Sequence, residues 1–374
     1  MGTEPLLVAM TENSPLRVAH IDTEKTWRGG EQQVYSLIKG LAGRGIYNLA
    51  VVKKGGVLER RLRELKIPVL AINPWGEWDL ISGFQIARTF SRHRIQVIHA
   101  HSSHAVALGA LSTVLKSLPL VVTRRVDFPL SQNLFSRWKY SRAAKVIAIS
   151  NRVKDVLRDS GIPPEKIQLV PSGVDFGRYE DVQAVSRKEL GIPEDAILIG
   201  QVAALAPHKD QATFLKSLAL LIPQNHRIWG ILVGEGPLRK TLEELAKNLG
   251  IAKRIIFSGF KDNPLDYLKT FDLFCLSSID EGLGTSLLDA MALRVPVVAT
   301  NTGGIPDLVE DGITGYLAEP QDSGDLAGVI SRVLLQPKDI THVILNNAQE
   351  KTRKFDINTT ISQTLSVYQS LKFN

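Results

Sequence analysis

The feature that most constrains this chain is a rhythm. Short β-branched runs alternate with amphipathic helical stretches, and the whole pattern runs twice. In the first pass, residues 17–21, 46–52, 69–72, 97–100, 120–123, 146–149 and 167–170 read as strands, with helical patterns such as 31–42, 80–91 and 150–159 between them. Such βαβα order predicts a parallel sheet covered by helices on both faces. The alternation breaks at 171–186, where Pro, Gly and charged residues take over, and then resumes. Strands are expected at 196–202, 228–233, 255–258, 273–276 and 296–300, with helices at 211–221, 238–248 and 285–293. Helical patterns at 324–335, 340–353 and 358–371 close the chain. The reading is α/β: two Rossmann-like domains with parallel sheets. The expected boundaries are 1–180, 181–355 and a C-terminal helix, 356–374, that packs back on the first domain.

Composition narrows the class. An apolar share of 44% and a charged share of 22% belong to a globular protein, and 374 residues are enough for two cores. The lone Cys275 excludes an internal disulfide and a cysteine-based zinc cluster. Residues 1–14 lack the basic-then-apolar form of a signal peptide, and the longest apolar stretch, 105–122, is interrupted by Lys116. The chain is therefore expected in the cytoplasm, at most peripheral at the inner face of the plasma membrane. Residues 1–180 hold 26 Lys+Arg against 15 Asp+Glu, while the remainder holds 19 against 23. Only the first half has the charge to meet an anionic membrane, although a solvated basic face without a partner fits equally well. With no helix-turn-helix and no RNA-binding signature, nucleic acid is not an expected partner.

The most informative stretch is Asp280-Glu281-Gly282-Leu283-Gly284-Thr285-Ser286-Leu287-Leu288-Asp289. A strand ends, a loop delivers a carboxylate, and two glycines lead into a helix. Unpaired N–H groups at a helix start hold phosphate, and glycines let that backbone approach closely. Asp289 lies one turn inside, within reach of ribose hydroxyls. A plain glycine-rich turn with Glu281 as a solvated cap remains open for this loop alone. The loop Thr300 to Asp307 follows the next strand at the same end of the sheet, so both converge on one crevice.

These segments resemble retaining glycosyltransferases of family 4, which have the GT-B architecture of two Rossmann-like domains facing across a cleft. Glu281 to Asp289 is similar to the family's two acids separated by seven residues. Gly303-Gly304-Ile305-Pro306, Gly29-Gly30-Glu31, Ser172-Gly173-Val174-Asp175, Gly234-Glu235-Gly236-Pro237 and Phe257-Ser258-Gly259 match further family segments in the right order over residues 16–335. The resemblance implies transfer of a sugar from a nucleotide-diphosphate donor, UDP-sugar favoured, to a glycan or lipid-linked acceptor, as in lipopolysaccharide or cell-envelope polysaccharide synthesis. It implies that Glu281 contacts the transferred sugar, that Gly282, Leu283, Gly284 and Thr285 hold the diphosphate, and that Asp289 holds the ribose. Lys209 would neutralise the leaving group, Gly30 would approach the donor phosphates, and Gly234 would line the donor site. The family works without a bound metal or cofactor, and no Asp-x-Asp pair argues otherwise. A nucleotide-sugar isomerase or hydrolase, or a non-catalytic sugar-binding member, would share the frame.

Three positions depart from the family. Ala204 stands where an arginine is usual, five residues before Lys209. Losing one charge-assisted donor costs about 1.5–3 kcal/mol unless replaced, and Arg124 or Arg125 is the expected replacement. Asp289 stands for glutamate, and Arg125 stands for the histidine of a T-x-H segment. The first domain adds His99, His101 and His104, of which His101 is the candidate for acceptor hydroxyls or acid–base assistance. Neutral histidines satisfied at a strand end are the alternative, since no standard metal spacing is present. Residues 134–142 mix aromatics with cations in the manner of a membrane-interface segment or an ordinary exposed helix.

Overall fold

The computed structural model describes residues 15–371, so the expectation for residues 1–14 lies outside the described residues. The first domain is a seven-stranded sheet of β1 (Arg17–Asp22), β2 (Tyr47–Lys53), β3 (Val69–Ile72), β4 (Val97–Ala100), β5 (Leu120–Arg124), β6 (Ala143–Ala148) and β7 (Ile167–Leu169). The second has β8 (Ile197–Val202), β9 (Ile228–Val233), β10 (Ile255–Gly259), β11 (Leu273–Leu276), β12 (Val297–Thr300) and β13 (Tyr316–Ala318). Every pairing is parallel. The strand orders are β3-β2-β1-β4-β5-β6-β7 and β10-β9-β8-β11-β12-β13. The central strands are buried from end to end, as sheets covered on both faces must be.

The order reverses direction between β1 and β4 in one sheet and between β8 and β11 in the other. At such switch points neighbouring loops diverge and leave a crevice at the carboxyl ends of the strands. The two crevices face each other. The carbonyl of Arg125, just past β5, packs on Gly282, just past β11. Apolar packing continues from Ile149 in the first domain to Leu283 and Ile305 in the second. Asp307 of the second domain caps the first-domain helix Asn151–Asp159, its Oδ2 accepting from the Asn151 N–H at 2.8 Å.

The chain crosses between domains twice, and the crossings are bonded together. The N–H of Val174 donates to Phe355 O and that of Ile357 to Val174 O. Buried Gln33 clamps Gly173 from both sides, donating to its carbonyl at 2.6 Å and accepting from its N–H at 3.2 Å. Beyond the second crossing, helix Ile357–Gln369 lies on helix Gly29–Gly43: Leu37, Leu41, Ile361 and Tyr368 share one buried cluster.

Helices Val57–Glu64 and Pro264–Lys269 add to the expected elements, and two others escape the sequence rhythm for physical reasons. Strand β13 is three residues long, too short to show alternation. Helix Ser103–Leu115 carries no amphipathic signal because it is sandwiched between the sheet and helices Leu80–Arg92 and Leu134–Ser141.

Candidate functional site

From the second domain, β8 and β11 deliver the charged groups. Past β8 a short 3-10 turn, Pro207–Lys209, turns Lys209 toward the crevice; past β11 comes Glu281. Their side chains form an ion pair, Lys209 Nζ with Glu281 Oε2, and Ser278 Oγ donates to the same oxygen at 3.3 Å. The loops are locked from below. Ser277 Oγ donates to the carbonyls of Lys209 and Asp210 at 3.1 and 2.8 Å, and the N–H of Ile279 donates to His208 O. Thr300 and Thr302 at the end of β12 donate to the carbonyls of Ser278 and Ile279.

Gly284 caps helix Thr285–Ala292 with φ of +84°, a conformation only glycine adopts cheaply. No side chain among the described residues caps that helix start; the N–H of Leu287 donates to Gly284 O at 2.8 Å, and those of Thr285 and Ser286 are left without a partner at the mouth of the crevice. At Gly282 a Cβ would drive into the Arg125 carbonyl; the two domains touch there through bare backbone. Gly234 serves the same lip more indirectly, packing on the Ala203 carbonyl and donating its N–H to Gly259 O at 3.0 Å. Asp289 is half-buried and accepts from Tyr179 OH at 2.7 Å, with Arg178 at 3.9 Å. Burial raises its pKa, and the Arg178 charge and the Tyr179 hydrogen bond oppose that rise. Both partners come from the interdomain segment Phe176–Tyr179, which no motif singled out.

The first domain supplies a buried polar floor. His101 joins His99 and His20, while His104 is exposed on the helix that follows. His20 lies within β1, where alternation gave no reason to suspect it. Asn48 donates its amide N–H to Ile46 O, which turns its oxygen toward His20 Nε2 at 3.0 Å. Burial depresses the His20 pKa to about 4, so the ring is neutral. With its proton on Nε2, His20 accepts at Nδ1 from His101 Nε2–H at 3.1 Å. His101 is therefore left with a bare Nδ1 lone pair, buried and without a partner among the described residues. His99 is satisfied by Tyr368 OH at 2.6 Å and Thr123 Oγ1 at 2.7 Å. The three rings lie close enough to hold a metal ion, yet five of their six nitrogens are committed to these hydrogen bonds.

Around the histidines sit buried Asp22 and Glu31 and half-buried Arg125. Desolvation pushes Asp22 up to about 6 and, with the Asp22 charge, Glu31 up to about 7. Arg125 donates to Ser172 Oγ at 3.1 Å and feels both carboxylates. Arg124 is fully used in holding its own loop, donating to Val126 O, Phe128 O and Tyr140 OH. Gly30 faces Arg125 with room to spare; the tight approach falls on its neighbour Gly29, where a Cβ would lie 2.9 Å from Thr285 Oγ1. The structure thus gathers Glu281, Lys209, Gly282 to Thr285, His101, Arg125 and Gly30 around one crevice. Gly234 and Asp289 support its second-domain wall.

Two family models match in register with the two domains. The model described as Glycosyltransferase Family 4 covers residues 27–178, and that described as Glycosyl transferases group 1 covers residues 182–351. The chain belongs to glycosyltransferase family 4. It is a glycosyltransferase with the GT-B fold. One family relative, the N-acetyl-alpha-D-glucosaminyl L-malate synthase of Bacillus anthracis, is 28% identical over 287 residues, 74% of each chain. The UDP-Gal:alpha-D-GlcNAc-diphosphoundecaprenol alpha-1,3-galactosyltransferase of Escherichia coli is 23% identical over 343 residues, 86% of this chain and 88% of that one. Among solved family structures, HepE of Anabaena, in complex with UDP and glucose, superposes with a TM-score of 0.83 at 25% identity, over 95% of this chain and all of that one.

Proposed function

We propose that this glycosyltransferase retains anomeric configuration and moves a sugar from a UDP-sugar to a glycan or lipid-linked acceptor of the cell envelope. The observation that carries the reading is the pairing of switch points. Lys209, Glu281 and an uncapped helix start on one side face the polar floor of His101, Arg125, Asp22 and Glu31 on the other. Departure of a nucleoside diphosphate builds negative charge, and fixed N–H groups and a cation stabilise it as it forms. Lys209 then exchanges its partner Glu281 for the diphosphate, which frees Glu281 for the sugar hydroxyls. These donors supply the neutralisation without a bound metal. The unpartnered Nδ1 of His101 would accept a hydrogen bond from a sugar hydroxyl that reaches the floor. The UDP complex of HepE and the UDP-Gal and diphosphoundecaprenol in the name of the Escherichia coli relative support the donor and acceptor classes.

The decisive measurement is nucleotide release from UDP-, GDP- and ADP-sugars, with and without lipid-linked glycans, in the native protein, Glu281→Ala and Lys209→Ala. Acceptor-dependent UDP release, abolished by both changes, is expected, with an α-linked product by NMR. Equal release without acceptor would instead identify a hydrolase.

A lipid-linked acceptor implies work at a bilayer, and the first domain has a suitable face. Trp75, Ile81 and Leu134 are 74%, 80% and 84% exposed, and Trp78 stacks on Phe135 with ring centroids 3.6 Å apart. From Leu80 to Lys154 the sequence holds twelve Lys+Arg and a single acid, Asp127. Aromatic anchors among unopposed cations suit an anionic membrane surface. No helix among the described residues is long and apolar enough to cross a membrane. Flotation with phosphatidylglycerol vesicles, lost in Ile81→Glu and absent with phosphatidylcholine, is the expected result.

A further inference from the structure

The donor site as described is short of charge. A leaving nucleoside diphosphate carries at least two negative charges, yet the second domain brings one side-chain cation to the helix start, Lys209, with Ala204 five residues before it. The nearby cations are mostly spent. Arg124 holds its own loop, Arg125 donates to Ser172 Oγ and feels the charges of Asp22 and Glu31, and Arg178 stands beside Asp289. Arg28 is different. It is exposed, and among the described residues its guanidinium has neither an ion-pair partner nor a hydrogen-bond acceptor.

The position of Arg28 is fixed from two sides. It immediately precedes helix Gly29–Gly43, and its backbone N–H donates to buried Glu31 Oε2 at 2.7 Å, so the loop is held from within. The next residue, Gly29, approaches the second domain so closely that a Cβ would lie 2.9 Å from Thr285 Oγ1, at the first turn of the uncapped helix. Arg28 therefore stands across the crevice from the amides that receive a phosphate. His208, the neighbour of Lys209, registers the same proximity, since the Arg28 charge is among the influences that lower its pKa.

We propose that Arg28 is the second cation of the donor-diphosphate site, supplied across the crevice by the first domain in place of the arginine absent at Ala204. The inference rests on the nucleotide-sugar reading above. As the bond from the anomeric carbon to the diphosphate oxygen breaks, its electron pair passes to that oxygen. Lys209, the helix amides and Arg28 share the resulting charge. The acceptor hydroxyl oxygen bonds to the anomeric carbon, and its proton passes to the departing phosphate. A donor held this way bridges both domains, so diphosphate binding and crevice closure are one event. Arginine suits the role because its planar fork matches phosphate oxygens and never loses its charge.

The test compares calorimetric binding of UDP and of uridine, and turnover, in the native protein, Arg28→Ala, Arg28→Lys and the double variant Arg28→Ala/Ala204→Arg. Loss of one charge-assisted phosphate contact predicts UDP affinity lower by roughly 10- to 100-fold in Arg28→Ala, with uridine binding unchanged. Arg28→Lys should recover part of the loss, and Ala204→Arg should recover most of it, because position 204 is half-buried on the loop that carries Lys209. Undiminished UDP binding and turnover in Arg28→Ala would overturn the proposal, as would an equal loss for UDP and uridine. Lys209→Ala separates this failure from failure of the underlying reading. If Lys209→Ala loses UDP while Arg28→Ala does not, the site binds diphosphate without Arg28. If the native protein binds no nucleoside diphosphate, the reading itself falls.

Discussion

Where the second domain meets the crevice it presents mainly backbone and a single ion pair, whereas the first domain presents five buried titratable side chains and a half-buried arginine. Helix Thr285–Ala292 offers unpaired N–H groups, and Gly282 lets the neighbouring backbone touch. Opposite lie His20, Asp22, Glu31, His99, His101 and Arg125. The contrast follows from what each side must recognise. A diphosphate is the same in every donor, and backbone dipoles bind it without depending on side-chain rotamers. Sugar and acceptor hydroxyls differ in number and direction, and reading them takes side chains whose tautomers and positions are held from behind.

The contrast breaks most sharply at Lys209. If the second-domain lip acts by stabilising leaving-group charge, Lys209→Ala should lower kcat by roughly 10²- to 10³-fold. Its melting temperature should stay close to native, because the lysine is held by an ion pair at the crevice surface and not by the core. A fall in stability without a fall in kcat would show that the Lys209–Glu281 pair is structural.

The floor is expected to respond in the opposite sense, with stability and activity falling together. His20→Ala removes the acceptor that orients His101 and strands Asn48 Oδ1 in the interior. Leaving buried polar groups unpaired costs about 1–3 kcal/mol. Urea denaturation should register that loss, and kcat should fall by roughly 10-fold as the His101 tautomer is freed. His101→Ala should cost less stability and more activity, because it strands one buried partner, His20 Nδ1, where His20→Ala strands two, and it removes the unpartnered Nδ1 itself. Indistinguishable effects of the two substitutions on kcat/KM would remove the case for a positioned His101 lone pair.

Much of this was legible in the sequence, and the limits are instructive. The double βαβα rhythm announced both sheets because buried parallel strands are continuous apolar runs. The lip from Glu281 to Asp289 was legible because backbone recognition needs glycines at fixed places. The floor was not. Its histidines meet from β1 and β4, its carboxylates from the end of β1 and the following helix, and Tyr368 arrives from the last helix. His104 looked like part of the group and is exposed on the next helix, while His20 was hidden inside a strand. Similarly, Arg124 and Arg125 invited the role of replacement cation by their place in a motif, but only the fold reveals that Arg124 is bound into its own loop. No local pattern encodes a contact between residues more than 70 positions apart, such as His20 with His101.

The smallest expected effect is a change in the shape of the pH–stability curve, and it tests whether the floor is as dry as its geometry implies. Burial holds the Glu31 pKa near 7, above its unfolded value, so the folded chain binds that proton more tightly. Its contribution to stability is complete below the unfolded pKa and is lost as pH rises through about 7. His20 behaves oppositely: its folded pKa is depressed to about 4, so its contribution is present above the unfolded value and is lost as pH falls toward 4. Between pH 7 and pH 5 the two oppose each other; Asp22, pushed up to about 6, acts in the sense of Glu31, and buried His99 and His101, held low by desolvation, act in that of His20. Glu31→Gln keeps an oxygen to accept the Arg28 N–H but removes the proton-binding group. The variant should therefore lose more stability than the native chain on acidification from pH 7 to pH 5, by about 1–2 kcal/mol. Chemical denaturation at the two pH values measures the difference directly. Parallel curves would mean that water reaches Glu31 in the folded protein. The first-domain floor would then be an open, hydrated surface like the lip it faces, and the contrast between the two sides would rest on His101 alone.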